Sequence, residues 1–167
     1  MCLQKHFRVR QAVDEDISTI KNLIAEWLSS EIDRQESVER AIEGKELLVA
    51  EQQGKVVGFI HLVVHEDIID GGLNSFITAF YVAPRYRSTG IGSSLLHAAI
   101  EDALGKGVIG VEVSTASPEA KRFYEDHRFK QFVGNSRMGE VFLELDVEDY
   151  RKERNQKACT EHTLRPS

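Results

Sequence analysis

The apolar and polar positions of this 167-residue chain change period several times, and each change marks an element. Phe7 to Val13 alternates and predicts a first strand. Asp14-Glu15-Asp16 is an acidic helix start, after which Ile17, Ile20, Leu23, Ile24, Trp27 and Leu28 recur at helical spacing on one stripe. That stripe assigns Trp27 to the core. Ser37 to Glu43 predicts a short helix stopped by Gly44. Glu46 to Gln52 and Lys55 to Val64 read as a hairpin around Gln53-Gly54, and His65 to Leu73 as a loop. The loop carries Ile68 and Ile69, which a purely solvated segment would not need. Ser75 to Val82 is the central strand, Ile91 to Leu104 a long helix, Val108 to Ser114 a buried strand and Ser117 to His127 a further helix. Phe129 to Val133 and Val141 to Val147 form a closing hairpin around Gly134-Asn135. Strands before, between and after helices predict an α/β fold of the α+β type. Its sheet is mixed and mostly antiparallel, with helices on both faces.

The junction between the central strand and the long helix is the most informative stretch: Val82-Ala83-Pro84-Arg85-Tyr86-Arg87-Ser88-Thr89-Gly90-Ile91-Gly92-Ser93-Ser94. Main-chain N–H groups at a helix start have no intrahelical acceptor, and the helix dipole adds partial positive charge there. Glycines at 90 and 92 remove the Cβ atoms that would hold off a bulky anion, so the turn suits a phosphate or pyrophosphate. A P-loop needs Lys and Ser/Thr after its last glycine, whereas Gly92 is followed by Ser93-Ser94. A dinucleotide fingerprint needs a small residue where Leu95 stands.

What remains is Arg87-x-x-Gly90-x-Gly92 after a strand and Val82-x-Pro84-x-Tyr86, which resembles the acyl-CoA-binding motif of the GNAT superfamily of acyl-CoA N-acyltransferases. Ser117-Pro118-Glu119-Ala120-Lys121-Arg122-Phe123-Tyr124-Glu125-Asp126-His127-Arg128-Phe129 is similar to a later element of that family, with Ala120, Phe123, Tyr124, Glu125 and Phe129 in register. Ser117 replaces the family's usual Asn but remains a good N-cap before Pro118. Arg128 replaces the glycine after the helix. A non-glycine residue in a left-handed conformation costs about 1 kcal/mol, so the helix is expected to end differently. The resemblance covers residues 7–147, taken as a single N-acetyltransferase domain. Residues 1–6 would be an N-terminal extension and 148–167 a polar tail, read as disordered after Tyr150.

The resemblance implies a sheet splayed at its central strands, with acetyl-CoA entering there. The pantetheine arm would pair with the main chain around Phe80, Tyr81, Val82 and Ala83. The pyrophosphate would sit on the amides of Arg87, Ser88, Thr89, Gly90, Ile91 and Gly92, with Ser93 or Ser94 supplying hydroxyls, Ser117 near the cofactor, and Arg85 and Arg87 adding charge. An amide near Tyr81 or Val82 would stabilise the oxyanion. Tyr124 would protonate the departing thiolate as the catalytic acid. Amine attack also requires a deprotonated nucleophile. An amine of pKa about 10.4 is neutral in about one molecule in 2,500 at pH 7, which adds roughly 4–5 kcal/mol to the barrier. Many members of the family place a carboxylate on the central strand for this purpose, but the matching positions here are Thr78 and Ala79. Glu112 on the adjacent strand, or Glu66, Asp67 or Asp70 in the loop, are the candidates for a displaced base.

Composition narrows the acceptor. Residues 150–167 carry five Lys/Arg against two Asp/Glu, leaving sixteen against twenty-five, a net of −9, in residues 1–149. Between Glu31 and Asp70 there are ten acids and four bases. An acidic lobe attracts a cationic acceptor and repels nucleic acid. No apolar run approaches a membrane span, and Cys2 and Cys159 predict no structural disulfide, which suits a cytoplasmic setting. His61, His65 and His127 have no metal-ligand spacing, so no metal is expected. These observations, with the resemblance, imply an N-acetyltransferase using acetyl-CoA and a primary amine, a small cationic molecule or a peptide. The missing carboxylate leaves an acyl-CoA-binding regulatory module with little or no turnover as the alternative. The closing strand offers an edge for a homodimer.

Overall fold

The hairpin expected at Gln53-Gly54 forms, and its turn shows why these residues stand there. Both have positive φ, +51° and +74°, as the tight turn matching strand twist requires. The computed structural model describes residues 7–69, 71–132 and 140–152. Its elements are β1 (Phe7–Gln11), α1 (Ile17–Leu28), α2 (Gln35–Glu43), β2 (Leu47–Gln52), β3 (Lys55–Glu66), β4 (Leu73–Val82), α3 (Ile91–Gly105), β5 (Val108–Thr115), α4 (Pro118–Asp126), β6 (Lys130–Gln131) and β7 (Val141–Asp146). The strands make a mixed seven-stranded sheet in the order β1-β2-β3-β4-β5-β7-β6. Gly134-Asn135 and Asp70 lie outside the described residues. Residues 147–152 are helical, so regular structure continues past Tyr150.

Two compact units divide the chain: described residues up to 63 with 77–102, and 64–76 with those from 103 onward. In the first, β1 and β2 pair antiparallel from Phe7↔Gln52 to Gln11↔Leu48, and β2 pairs antiparallel with β3. The core gathers Ile20 and Leu23 of α1, Val38 and Ala41 of α2, and Val49, Phe59 and Tyr81 of the strands. Trp27 corrects the expectation from its stripe. It is 41% exposed and lays one face on Tyr81, with ring centroids 5.6 Å apart. Position on a helical stripe sets direction, but depth depends on what lies opposite, and Trp27 is near the C-terminal end of α1. In the second unit, β5 and β7 pair antiparallel from Gly110↔Asp146 to Thr115↔Val141, around buried Val111, Val113, Leu143 and Leu145.

Two helices end in the same way, each on a non-glycine residue. After α2, Lys45 at φ +54° donates its N–H to Ile42 O and Glu46 donates to Ala41 O, both at 3.0 Å. Gly44, expected to make this stop, keeps a right-handed φ of −70°. After α4, Arg128 takes φ +74°, donating to Glu125 O at 2.9 Å, while Phe129 N donates to Tyr124 O at 3.0 Å. The different ending expected from Arg128 is therefore not found. The paired bonds of a Schellman ending, and the packing of Phe129 against Tyr124 at 5.3 Å, offset the ~1 kcal/mol of left-handed strain.

Gly58 fixes how closely β3 approaches β4. A β-carbon there would lie 2.8 Å from Tyr81 O and 3.1 Å from a Val82 methyl. The β2–β3 register also shifts beside it, because Ala50 faces Gly58 while Glu51 faces Val56. The residue left over, Val57, accepts the N–H of Ala83 at 3.0 Å. Gly58→Ala is expected to destabilise the fold by about 2 kcal/mol, because the contact is with backbone and only a strand shift relieves it. Urea denaturation will show this as a lower midpoint at unchanged slope.

Candidate functional site

The junction after β4 is built as the glycine spacing predicts. A 3-10 turn, Pro84–Tyr86, follows the strand, and Thr89 Oγ1 donates to Tyr86 O at 2.6 Å to close the loop. Ser88 and Gly90 both have positive φ, +60° and +86°. A β-carbon on Gly90 would meet no protein atom within 4 Å, so the glycine serves conformation and leaves the space above it open. Ser94 N donates to Gly90 O at 3.0 Å, the first bond of the α3 ladder. The amides of Ile91, Gly92 and Ser93 precede that bond and have no acceptor four residues back within the helix. The arrangement has the form of a cradle suited to an anion, with Ser93 and Ser94 half-buried beside it.

Arg87, expected to add charge near the pyrophosphate, is held against the end of β4. Its Nε donates to Val82 O at 2.9 Å, and its charge lies 5.5 Å from the centre of the Tyr81 ring. It ties the loop back onto the end of β4, and Arg85 rests over Tyr86 at 5.0 Å. Among residues 81–83, the Ala83 amide is engaged by the Val57 carbonyl at 3.0 Å. The Tyr81 ring faces α1, its hydroxyl donating to Glu26 Oε1 at 3.1 Å. Burial, and then the neighbouring Glu26 carboxylate, hold that phenol above its ordinary pKa.

In the second unit, Ser117 Oγ accepts the Ala120 N–H at 3.2 Å, so the hydroxyl expected near the cofactor works as the N-cap of α4. Tyr124 is 4% exposed, with Phe123 at 5.5 Å and Phe129 at 5.3 Å between ring centroids. Burial pushes its phenol well above the ordinary value, which keeps it protonated and able to donate. Of the carboxylates proposed as a base, Glu112 is half-buried, and its Oε1 accepts the Asn74 side-chain N–H at 2.6 Å. Asn74 is itself buried, accepting Ser75 N at 3.0 Å, while Ser75 Oγ donates to Gly110 O at 3.1 Å. A side chain on Gly110 would stand 2.9 Å from Asn74 Oδ1, so glycine admits this network. Asp67 Oδ1 accepts the Ile69 N–H at 2.8 Å, and Glu66 is exposed.

One group escaped sequence reasoning. In the first unit Thr78 Oγ1 lies 2.5 Å from His61 Nδ1, and His61 Nε2 lies 3.4 Å from Glu46 Oε2. No spacing rule joins positions 46, 61 and 78, which are brought together by strands. The acidic stretch between Glu31 and Asp70 is also less open than its composition suggests. Asp33 pairs with Lys21 at 2.9 Å, Glu36 with Arg40 at 3.8 Å, and Glu51 with Arg8 and Arg10 at 3.0 and 2.9 Å.

Residues 14–129 match the model of the Acetyltransferase (GNAT) family, well over half of the chain, and the protein belongs to that family. It is an acetyltransferase. No curated protein matches it. Among solved structures, Naa50 of Arabidopsis thaliana in complex with a bisubstrate analogue, CoA-Ac-MVNAL, is similar at 17% identity and TM-score 0.69, over 84% of this chain and 99% of that one. An N-acetyltransferase from Staphylococcus aureus Mu50 matches at 20% identity and TM-score 0.71, over 84% and 98%. A ribosomal-protein-alanine N-acetyltransferase from Brucella melitensis matches at 21% identity and TM-score 0.68, over 83% and 99%. At these identities the likeness is one of fold. Among the described residues no helix is long and apolar enough to cross a membrane, and no cluster of three His, Cys, Asp or Glu side chains could hold a metal ion.

Proposed function

We propose that the protein moves the acetyl group of acetyl-CoA to the primary amine of a small cationic or peptidic acceptor. The observation that carries this reading is the anion cradle, in which Gly90 at φ +86° opens α3 and the amides of Ile91, Gly92 and Ser93 meet at its start. In this reading the CoA pyrophosphate occupies the cradle and the pantetheine arm lies along the main chain of Tyr81 and Val82. An amide there receives the developing oxyanion, and Tyr124 gives its proton to the thiolate. A cationic acceptor is favoured by exposed Glu31, Glu43 and Glu66, although the ion pairs of Asp33, Glu36 and Glu51 reduce the field.

The test is CoA release from acetyl-CoA with spermidine, kanamycin, free lysine, a peptide with a free N-terminus and a neutral primary amine. Turnover should be fastest with the cations. The KM for spermidine should rise severalfold as salt shortens the Debye length below ~8 Å, with that for acetyl-CoA responding differently. A preference for neutral or acidic acceptors would remove the cationic assignment. An absence of release with every amine would remove the acetyl-transfer reading.

A further inference from the structure

The bound acceptor must lose a proton before it can attack, and the central strand carries Thr78 and Ala79 where the proposed chemistry wants a base. Thr78 is not an isolated hydroxyl. It is an exposed residue of β4, two positions before Phe80 and therefore on the same face of the strand. Its Oγ1 is 2.5 Å from His61 Nδ1 on β3, and His61 Nε2 is 3.4 Å from Glu46 Oε2, just before β2. With the imidazole proton on Nε2, that N–H donates to the Glu46 carboxylate, and Nδ1 accepts from the Thr78 O–H. This is the hydroxyl–imidazole–carboxylate order in which an imidazole draws a proton from a hydroxyl while a carboxylate holds its tautomer and steadies the imidazolium.

We propose that Thr78, His61 and Glu46 form the route by which the acceptor ammonium loses its first proton, a step that rests on the acetyl-transfer reading above. The ammonium gives a proton to Thr78 Oγ1 as Thr78 passes its own proton to His61 Nδ1. The imidazolium remains paired with Glu46 through Nε2–H and later releases its extra proton to water. The amine lone pair, now free, forms the C–N bond at the thioester carbonyl. As the C–S bond breaks, the second ammonium proton ends on the CoA sulfur. One ammonium and one thioester thus give one amide, one thiol and one proton in solution. Thr78 touches the acceptor in this scheme, whereas His61 and Glu46 act through it as positioning residues.

Two of the competing carboxylates are engaged elsewhere. Glu112 Oε1 is held by the buried Asn74 amide at 2.6 Å, and Asp67 Oδ1 caps the Ile69 N–H at 2.8 Å. The Thr78 hydroxyl also reaches the His61 carbonyl at 3.4 Å, an alternative acceptor available while the imidazole is protonated and donates from Nδ1. The hydroxyl can therefore turn between the two states without losing a partner.

Thr78→Val keeps the shape and β-branching of the residue but removes the hydroxyl, so the fold should hold. Steady-state turnover is measured with acetyl-CoA and the amine used fastest by the unaltered enzyme, and acetyl-CoA affinity by calorimetry. Thr78→Val and His61→Gln should each lower kcat at least tenfold with acetyl-CoA affinity unchanged. Thr78→Ser, which restores the hydroxyl, should recover most of that loss. Full activity in Thr78→Val, or a loss that Thr78→Ser does not recover, would overturn the relay. A loss found only in Glu112→Gln would do so too, and would assign the base to the second unit. If the unaltered enzyme released no CoA with any amine, the acetyl-transfer reading would fall and the relay with it. Active wild type with an active Thr78→Val removes the relay alone.

Discussion

Gly92→Val should weaken acetyl-CoA binding by about 10²-fold while leaving the fold intact. Gly92 stands in the first turn of α3, immediately after the positive-φ Gly90, among the amides that precede the first ladder bond. A branched side chain there holds a pyrophosphate away from those N–H groups. Hydrogen bonds to a charged group contribute about 1.5–3 kcal/mol each, so losing one or two of them accounts for the two orders of magnitude. The same substitution moves from glycine to a better helix former, so the melting temperature should stay level or rise. That separation makes Gly92 a sharper test than Gly90, where φ +86° would strain any side chain whether or not a ligand approached. Gly92→Ala should show a smaller loss of about tenfold. Isothermal calorimetry giving an unchanged Kd for folded Gly92→Val would remove the cradle as the CoA site.

Tyr124→Phe should lower kcat by up to about 10²-fold at unchanged acetyl-CoA affinity. The substitution keeps the buried ring against Phe123 and Phe129, so packing is conserved and only the proton is removed. A thiol near pKa 8.5 is already a fair leaving group, which limits what an acid can add. The direction of the phenol's shift also predicts the pH response. Burial raises the pKa, so Tyr124 stays protonated through and beyond neutral pH, and its ionisation should shape no limb of the rate profile there. The pH profile of Tyr124→Phe should therefore keep the wild-type form at a lower level. Unchanged kcat, under conditions where chemistry limits turnover, would return Tyr124 to a purely packing role.

The cradle was legible in the chain because its parts are neighbours in sequence. A strand, a turn with two glycines and a long helix follow one another directly between residues 73 and 105, and helix-start amides need no distant partner to be left without an intrahelical acceptor. Ser117 before Pro118 as the cap of α4, and the Gln53-Gly54 turn, were local in the same sense.

What pattern could not supply was whatever depends on a neighbour far along the chain. The stripe of α1 gave Trp27 a direction, but its 41% exposure was set by Tyr81, fifty-four positions later. Arg87 bears a charge suited to phosphate, yet the Val82 carbonyl and the Tyr81 ring settled where it points. Arg128 in place of glycine predicts a different ending for α4, but the Phe129–Tyr124 packing that offsets its strain exists only once the helix has folded. The Glu46–His61–Thr78 group is the extreme case, since three polar residues of ordinary type acquire an order only when strands bring them side by side. Periodicity and turn chemistry are written in adjacent residues and so survive in the linear chain. Depth, charge partnership and proton routes are properties of pairs, and the pairing is made by tertiary packing.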